Sequence, residues 1–160
     1  MNLRKNMSLP MKDMSVTATL SSLRFRVSVQ ARQRVSSTNL SAVTYIYILL
    51  DVCNYSLTYS LCGYTNHMSP DDHFQDLKRV IAAIGGKARR INVIMPFLYE
   101  SRQHKRSGRE SLDCALGLQE LTAMGVENII TFDAHDPRVQ NAIPLHGFET
   151  IQPAYQFIKN

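Results

Sequence analysis

The sequence predicts an α/β domain with a parallel sheet and flanking helices. Three apolar runs of strand length alternate with two amphipathic stretches of helical length between residues 45 and 133. The runs are almost continuously apolar, which is typical of strands that are buried on both faces of a parallel sheet. The order strand, helix, strand, helix, strand is the one that crossover connections produce. The length of 160 residues suits one domain, and a hydrophobic fraction of 44% is enough for a packed core.

The first strand and the helix after it carry the clearest local signals. Residues 45–52 form a β-branched and aromatic run, and a polar loop follows to about Met68. Ser69 then precedes Pro70 and two acids, a pattern that indicates a helix N-terminus with a capping side chain and a favourable dipole interaction. Two glycines after Ile84 should end this helix. Its predicted buried face holds Phe74, Leu77, Val80, Ile81 and Ile84.

The remaining elements continue the same alternation. Residues 91–98 form the second predicted strand, and a polar loop over residues 99–110 separates it from a second helix over about residues 111–124. Residues 128–133 form the third strand, and residues 153–160 begin another helix. The second helix should bury an apolar stripe that contains Leu112, Ala115, Leu116 and Leu121. Leu118 should lie on the flank of this stripe.

The positive charge of the chain is confined to its beginning. Residues 1–45 hold seven Lys or Arg residues and one acidic residue, which gives a net charge of +6. Residues 46–160 hold eleven Lys or Arg residues and twelve acidic residues, which gives a net charge of −1. Because a nucleic-acid interface needs a basic face on the folded part, we expect no nucleic-acid partner. No apolar run reaches the roughly 18 residues that span a bilayer, so we expect no membrane span. The three cysteines form no CxxC pair, and reduced thiols in a cytoplasmic protein are the simplest account.

Two polar clusters follow the second and third predicted strands. The second cluster, residues 133–136, offers two carboxylates and an imidazole, which suit Mg²⁺. The first cluster, residues 100–109, is a loop before a helix N-terminus, where cations and free backbone N–H groups suit phosphates. Taken alone, the first cluster could be only a solvated basic surface, and the second could be only a hydrogen-bonded Asp–His pair. Both lie at carboxyl ends of strands, where parallel sheets bind ligands, so together they favour a ligand site. The cations of the first cluster are Arg102, Lys105, Arg106 and Arg109.

These clusters also carry a resemblance to a known family. Residues 99–109, YESRQHKRSGR, resemble the ATP-binding loop of ribose-phosphate pyrophosphokinases, usually YARQD followed by basic residues and a Ser-Arg. Residues 129–140, IITFDAHDPRVQ, resemble the strand and Asp-x-His metal motif of that family, and Ile143-Pro144 fits as well. The resemblance spans residues 45–160 and suits a divergent branch. It implies a phosphoribosyltransferase-like N-terminal domain, which is incomplete in this chain.

The resemblance implies a reaction, its ligands and the residues that bind them. Family enzymes transfer the pyrophosphoryl group of MgATP to ribose 5-phosphate, which gives phosphoribosyl pyrophosphate and AMP, and the intact proteins are expected to be homo-oligomers. Asp133 and His135 would hold Mg²⁺. The residues that would bind the nucleotide are Arg102, Gln103, His104, Lys105, Arg106 and Arg109.

Several positions depart from the family pattern. His104 replaces the acid that usually follows Arg-Gln, and Ala142 and His146 stand where many members have further metal-linked carboxylates. The ribose 5-phosphate loop and the mobile basic loop of the family's second domain do not occur in this sequence. We therefore expect an inactive fragment of the enzyme. A non-catalytic partner of full-length subunits and an unrelated small nucleotide-binding module are the alternatives.

Residues 1–44 are expected to be irregular and non-native. They are rich in Ser, Thr, Arg and Val and show no sustained helical or strand periodicity. The family has a segment like RFxxGE…ESVRGxD before the first strand, whereas this chain reads RVSVQARQRVSSTNLSAVT. Suitable codons for residues 27–44, read two bases on, spell FGSGEAKGVINESVRGD, so we expect this stretch to be translated out of frame. A transit peptide, rich in Arg and Ser, is the less specific alternative.

Overall fold

The described residues of this computed structural model are 24–28, 34–38 and 45–159. They form eight strands, three α-helices and one 3-10 helix. In chain order these are β1 Arg24–Ser28, β2 Arg34–Thr38, β3 Tyr45–Leu49, β4 Thr58–Leu61, β5 Tyr64–His67, α1 Pro70–Ile84, β6 Arg90–Ile94, α2 Asp113–Ala123, β7 Val126–Phe132, the 3-10 helix Pro137–Ala142, β8 Gly147–Ile151 and α3 Ala154–Lys159.

A four-stranded parallel sheet forms the centre of the fold, as the sequence predicts. Its strand order is β3-β6-β7-β8, and every neighbouring pair is parallel. The register places Ile46 beside Ile91 and Val93 beside Ile129, and all four side chains belong to the buried core. Strand β8 was not predicted, because it lies at an edge of the sheet and its residues are half-buried or exposed rather than continuously apolar.

Helix α1 confirms the prediction at both ends and on its buried face. The Ser69 hydroxyl accepts a hydrogen bond from the backbone N–H of Asp72 at 3.2 Å, and the Asp72 carboxylate accepts one from the N–H of Ser69 at 2.9 Å. This reciprocal pair satisfies two N–H groups at the helix start. Gly85 ends the helix in the left-handed region with φ 57°. All five apolar residues of the predicted face are buried, and His73 and Asp76 are buried beside them.

Helix α2 was predicted with the wrong buried stripe. Leu116 is 52% exposed, and Leu112 and Ala115 are only half-buried, whereas Leu121 is buried as expected. The physical reason is that an aromatic stack from other parts of the chain packs on Gly117 and brings the glycine face of the helix inward. The observed buried residues follow the spacing i, i+3, i+4, i+7 and are Cys114, Gly117, Leu118 and Leu121.

The connection from β3 to α1 contains a hairpin that was expected to be a loop. Strands β4 and β5 pair antiparallel around a turn in which Cys62 and Gly63 both have positive φ. Leu61 and Tyr64 beside this turn are exposed, so the segment lacks the alternation of buried and exposed residues that predicts a strand. The terminal helix α3 confirms the expected helix near the end of the chain. No helix in the described part of the chain is long and apolar enough to cross a membrane.

The segment 1–44 differs from the expected irregular structure where the structure describes it. Strands β1 and β2 pair antiparallel, with Arg24 opposite Thr38, and β2 contacts α1. The other residues of this segment lie outside the described residues. The out-of-frame origin of residues 27–44 stays a hypothesis, because the backbone conformation of two strands does not report the reading frame that encoded them.

Candidate functional site

Both polar clusters of the sequence lie at the carboxyl edge of the sheet. Strands β6 and β7 are parallel neighbours, so the segments after them leave the sheet side by side. Pairing continues past the end of β6, because the N–H of Phe132, the last residue of β7, donates to the carbonyl of Pro96 at 3.2 Å. We call residues 99–110 the basic loop and residues 133–138 the Asp–His loop.

Tyr99 anchors the start of the basic loop. Its ring stacks on Phe74 of α1, with centroids 4.1 Å apart and planes at 7°. Its hydroxyl donates a hydrogen bond to the Asp71 carboxylate at 2.7 Å. Burial raises the pKa of Tyr99, and the hydrogen bond to Asp71 raises it further, so the hydroxyl stays protonated and continues to donate. Gly117 leaves room for the stack, since a Cβ there would lie 3.2 Å from both rings.

The backbone of the basic loop turns sharply directly after Tyr99. The N–H of Gln103 donates to the carbonyl of Glu100 at 2.8 Å, and the N–H of Cys114 donates to the carbonyl of Gln103 at 3.3 Å. Glu100 has φ 48°, a left-handed conformation that costs about 1 kcal/mol or more for a residue with a side chain. The loop therefore has a fixed, strained start that is tied to the first turn of α2.

The cations of the basic loop are exposed and unpaired. Within residues 24–28, 34–38 and 45–159 none of them forms an ion pair, and Gln103 is exposed beside them. The Glu110 carboxylate of the same loop accepts hydrogen bonds from the N–H and hydroxyl of Ser107 instead. Unpaired positive charge in an exposed loop at a strand end suits an anion such as a phosphate. The four cations are Arg102, Lys105, Arg106 and Arg109.

The Asp–His loop also begins with a strained residue. Asp133 has φ 46°, and its N–H donates to the carbonyl of Ile151 at 3.0 Å. The N–H of Ala134 donates to the Thr150 hydroxyl at 3.0 Å, so two bonds to β8 fix this turn. The side chains of Asp133 and His135 are exposed, and the Asp133 carboxylate accepts no hydrogen bond within the described ranges.

His104 joins the basic loop to the Asp–His loop. Its Nε2 lies 3.2 Å from Oδ2 of Asp136, and its ring meets that of His135 edge-on at 5.2 Å between centroids. The Arg138 guanidinium donates to both oxygens of Asp136 at 2.6 to 3.1 Å, and the Arg138 N–H donates at 2.9 Å. These bonds lower the pKa of Asp136, with a smaller contribution from His104. Asp136 is therefore fully engaged by the protein itself.

The carboxylates and imidazoles of the two loops are the side chains that could hold Mg²⁺ here. In the part of the chain that the structure describes, no group of three or more His, Cys, Asp or Glu side chains could hold a metal ion. Mg²⁺ keeps several waters and commonly takes one or two carboxylates together with substrate phosphates. The exposed carboxylate of Asp133 fits such a site, with His135 nearby in the same turn. Ala142 supplies no carboxylate, and its carbonyl accepts a hydrogen bond from Gln119 at 3.2 Å.

The structure also identifies positions that sequence reasoning missed. Asp71 was read only as part of a helix cap, but its carboxylate holds the Tyr99 hydroxyl. Arg138 was given no role, yet it orients Asp136. The spacing of Asp136 and Arg138 around Pro137 was an available signal for their local pairing. No sequence signal could reveal that His104 reaches Asp136, because that contact depends on two loops meeting in space.

Comparisons with known proteins point to one family. A family model described as the N-terminal domain of ribose phosphate pyrophosphokinase matches residues 24–125. Ribose-phosphate pyrophosphokinase 1 of Schizosaccharomyces pombe is 36% identical over 72 residues, which cover 44% of this chain and 18% of that protein. The crystal structure of phosphoribosylpyrophosphate synthetase from Mycobacterium smegmatis matches with a TM-score of 0.67 at 17% identity, over 86% of this chain and 42% of that chain.

The matches define how far the likeness extends. The chain spans less than half the length of both similar proteins. The basic loop lies inside the matched residues 24–125, and the Asp–His loop lies beyond them. The match begins well before residue 45, where the sequence resemblance was expected to start. The predicted fold class, a phosphoribosyltransferase-like N-terminal domain with a parallel sheet and flanking helices, is confirmed.

Proposed function

This chain belongs to the ribose-phosphate pyrophosphokinase family, and from that premise we propose that its basic loop binds the phosphate groups of ATP. The single observation that carries the proposal is the set of exposed cations at the carboxyl edge of the sheet, none of which is paired within the described residues. Family membership rules out the alternative of an unrelated nucleotide-binding module, because the match covers more than half of the chain.

We assign a direct contact with the nucleotide to five residues of the basic loop and no direct contact to His104. The guanidinium groups and the ammonium group suit phosphate oxygens, as planar forks and as a point charge respectively, and the Gln103 amide adds a neutral donor. His104 was also expected to bind the nucleotide, but its Nε2 is engaged with Asp136 and its Nδ1 is buried, so we give it no direct contact. The nucleotide set is thus Arg102, Gln103, Lys105, Arg106 and Arg109.

Asp133 and His135 are the residues that would hold Mg²⁺ beside these phosphates. When bound, the ion neutralises phosphate charge, which is the main requirement of phosphoryl transfer. The turn bonds to β8 hold the Asp133 backbone in place, and its carboxylate is exposed and available to a ligand. The protein's own contribution is to keep this carboxylate next to the basic loop, which follows the neighbouring strand.

We propose that this chain binds MgATP without turning it over. In the family reaction, pyrophosphate passes from MgATP to ribose 5-phosphate, and the loops that the resemblance implies for the second substrate do not occur in this sequence. Purified chain incubated with MgATP and ribose 5-phosphate should therefore release no AMP above background. Stable association with a complete synthetase subunit in the same assay would favour the alternative role of a non-catalytic partner.

Calorimetric titration of the purified chain with MgATP tests the phosphate-binding proposal. Arg102→Ala should weaken binding by about tenfold or more, because a hydrogen bond to a charged group contributes about 1.5–3 kcal/mol. The matched control is Arg89→Ala, which removes the same charge from an exposed residue before β6, at the opposite edge of the sheet. Equal effects of the two substitutions, or no MgATP binding by the parent chain, would overturn the proposal.

A further inference from the structure

The contact between His104 and Asp136 is more shielded from water than the Lys–Glu and Arg–Glu ion pairs that join distant parts of the described chain. The side chains of His104 and Asp136 are only 10% and 11% exposed, whereas those of Arg90 and Glu127 are 47% and 43% exposed. Water screens the attraction between two exposed charged side chains and leaves them mobile, so such a pair stabilises the contact between its two segments only weakly. The shielded pair of His104 and Asp136 is able to fix the two loops that it joins.

Asp136 is oriented by its own turn, because the backbone N–H of Arg138 donates to Oδ1 in addition to the exposed Arg138 guanidinium. Arg138 holds both carboxylate oxygens through its side chain, and its N–H binds Oδ1 at the start of the 3-10 helix. The orientation of Asp136 is therefore set before His104 reaches it. Among the described residues, no other side-chain hydrogen bond or ion pair joins the basic loop to the Asp–His loop.

The environment of His104 supports a holding role rather than a ligand contact. Its Nδ1 is buried and has no hydrogen-bond partner within the described ranges, a condition that costs free energy. The remaining contacts of the ring must offset that cost, and these are the approach of Nε2 to within 3.2 Å of Oδ2 of Asp136 and the edge of His135. A metal site built from these three side chains is not supported, because no such group in the described residues could hold an ion.

We propose that His104 is a positioning residue that holds the basic loop against the Asp–His loop through Asp136. The pair keeps the phosphate-binding cations next to Asp133, so that one nucleotide is able to engage both loops. This inference rests on the proposed function for its effect on ATP, but not for the contact itself. His104 acts without touching the nucleotide, which distinguishes it from Arg102 and Lys105.

The test uses the full chain and three substitutions, with MgATP affinity measured by calorimetry. His104→Ala should weaken binding about three- to tenfold, the size of a typical coupling between contacting residues. His104→Gln should restore most of the affinity, because its amide N–H group is able to reach Asp136. Combining His104→Ala with Asp136→Asn should weaken binding no more than either change alone. Additive losses, or no rescue by glutamine, would overturn the proposal.

Hydrogen exchange of the nucleotide-free chain gives a measurement that does not depend on ATP. The amide of Gln103 should exchange faster in His104→Ala than in the parent, and at the parental rate in His104→Gln. The amides of α1 should be unchanged, since a general loss of stability would affect them as well. Equal exchange at Gln103 in all three proteins would refute the holding role. If the parent binds no MgATP, the proposed function fails, while this comparison still decides the inference. If His104→Ala does not fold, Asp136→Asn takes its place in both measurements.

Discussion

The basic loop and the Asp–His loop leave adjacent strands of one sheet, but they hold their charges in opposite ways. In the described part of the chain, the cations of the basic loop are exposed and unpaired. In the Asp–His loop, Asp136 accepts hydrogen bonds from Arg138 and lies 3.2 Å from His104, whereas the carboxylate of Asp133 is left exposed. This difference indicates that the unpaired side chains, the cations of the basic loop and the carboxylate of Asp133, are the ones available to a ligand of opposite charge. Paired charge marks where the protein sets its own geometry.

The two loops are alike in how they begin. Glu100 and Asp133 both have left-handed φ angles, 48° and 46°, although neither is a glycine. Such conformations persist only where surrounding contacts enforce them, and they cluster at functional sites. In the basic loop the turn at Glu100 is closed by the N–H of Gln103 next to the Tyr99 stack, and in the Asp–His loop the turn is hydrogen-bonded to β8. Changes to either support should therefore affect one loop and spare the other.

The largest effect is expected from a side chain at Gly117, which would break the support of the basic loop alone. Gly117→Val would push branched atoms into the rings of Phe74 and Tyr99, where a Cβ is already 3.2 Å away. Overpacking of this kind should destabilise the chain by about 1–3 kcal/mol in urea unfolding. The control is Gly108→Val in the basic loop, where a Cβ meets nothing within 4 Å. Equal stability of the two variants would contradict the account of the stack.

A smaller effect is expected from Asp133→Asn, which tests the exposed carboxylate of the Asp–His loop. The substitution should weaken ATP binding about tenfold in Mg²⁺, because Mg²⁺ prefers a charged carboxylate oxygen to an amide oxygen. Binding measured in EDTA should be unchanged, since the cations of the basic loop are intact. Glu149→Gln on β8 removes a comparable exposed charge and should change neither measurement. A loss of affinity that is the same with and without Mg²⁺ would argue against a metal role for Asp133.

The smallest effect is a pH dependence of stability from Tyr99. Because burial raises the pKa of Tyr99 above its ordinary value of about 10, its contribution is complete below that pH. The contribution should be lost as the pH rises towards the raised folded value, because the unfolded tyrosine loses its proton first. At pH 11 the loss should be less than about 1.4 kcal/mol. Urea unfolding of the parent and Tyr99→Phe at pH 8 and 11 should therefore converge, and a constant difference would count against this coupling.

The parts of the fold that depend on local chemistry were predictable from the sequence. Helix α1 has a capping box, a proline in its first turn and a glycine stop, and each of these acts within a few residues. The three predicted strands β3, β6 and β7 carry apolar runs by which they could be recognised. The expected burial on both faces is wrong for β3, because this strand lies at an edge of the sheet and exposes Tyr45 and Tyr47. All three cysteines are free in the structure, with Cys53 and Cys62 exposed and Cys114 buried.

The parts that depend on distant contacts were not predictable. The buried stripe of α2 is set by Gly117 against Phe74 and Tyr99, which come from other elements. Strand β8 and the β4–β5 hairpin carry exposed side chains, so their sequences lack a strand pattern. In the site, residue types identified the cations and Asp133, whereas the link from His104 to Asp136 required the folded chain.

The most direct test of the central claim is an amide chemical-shift comparison of the labelled chain with and without MgATP. If the basic loop binds the phosphates, the largest shifts should occur at residues 101–109, with further shifts at residues 133–135. Residues 85–89, at the opposite edge of the sheet, should not move. Shifts confined to that opposite edge, or no shifts at saturating MgATP, would contradict the assignment of the nucleotide site.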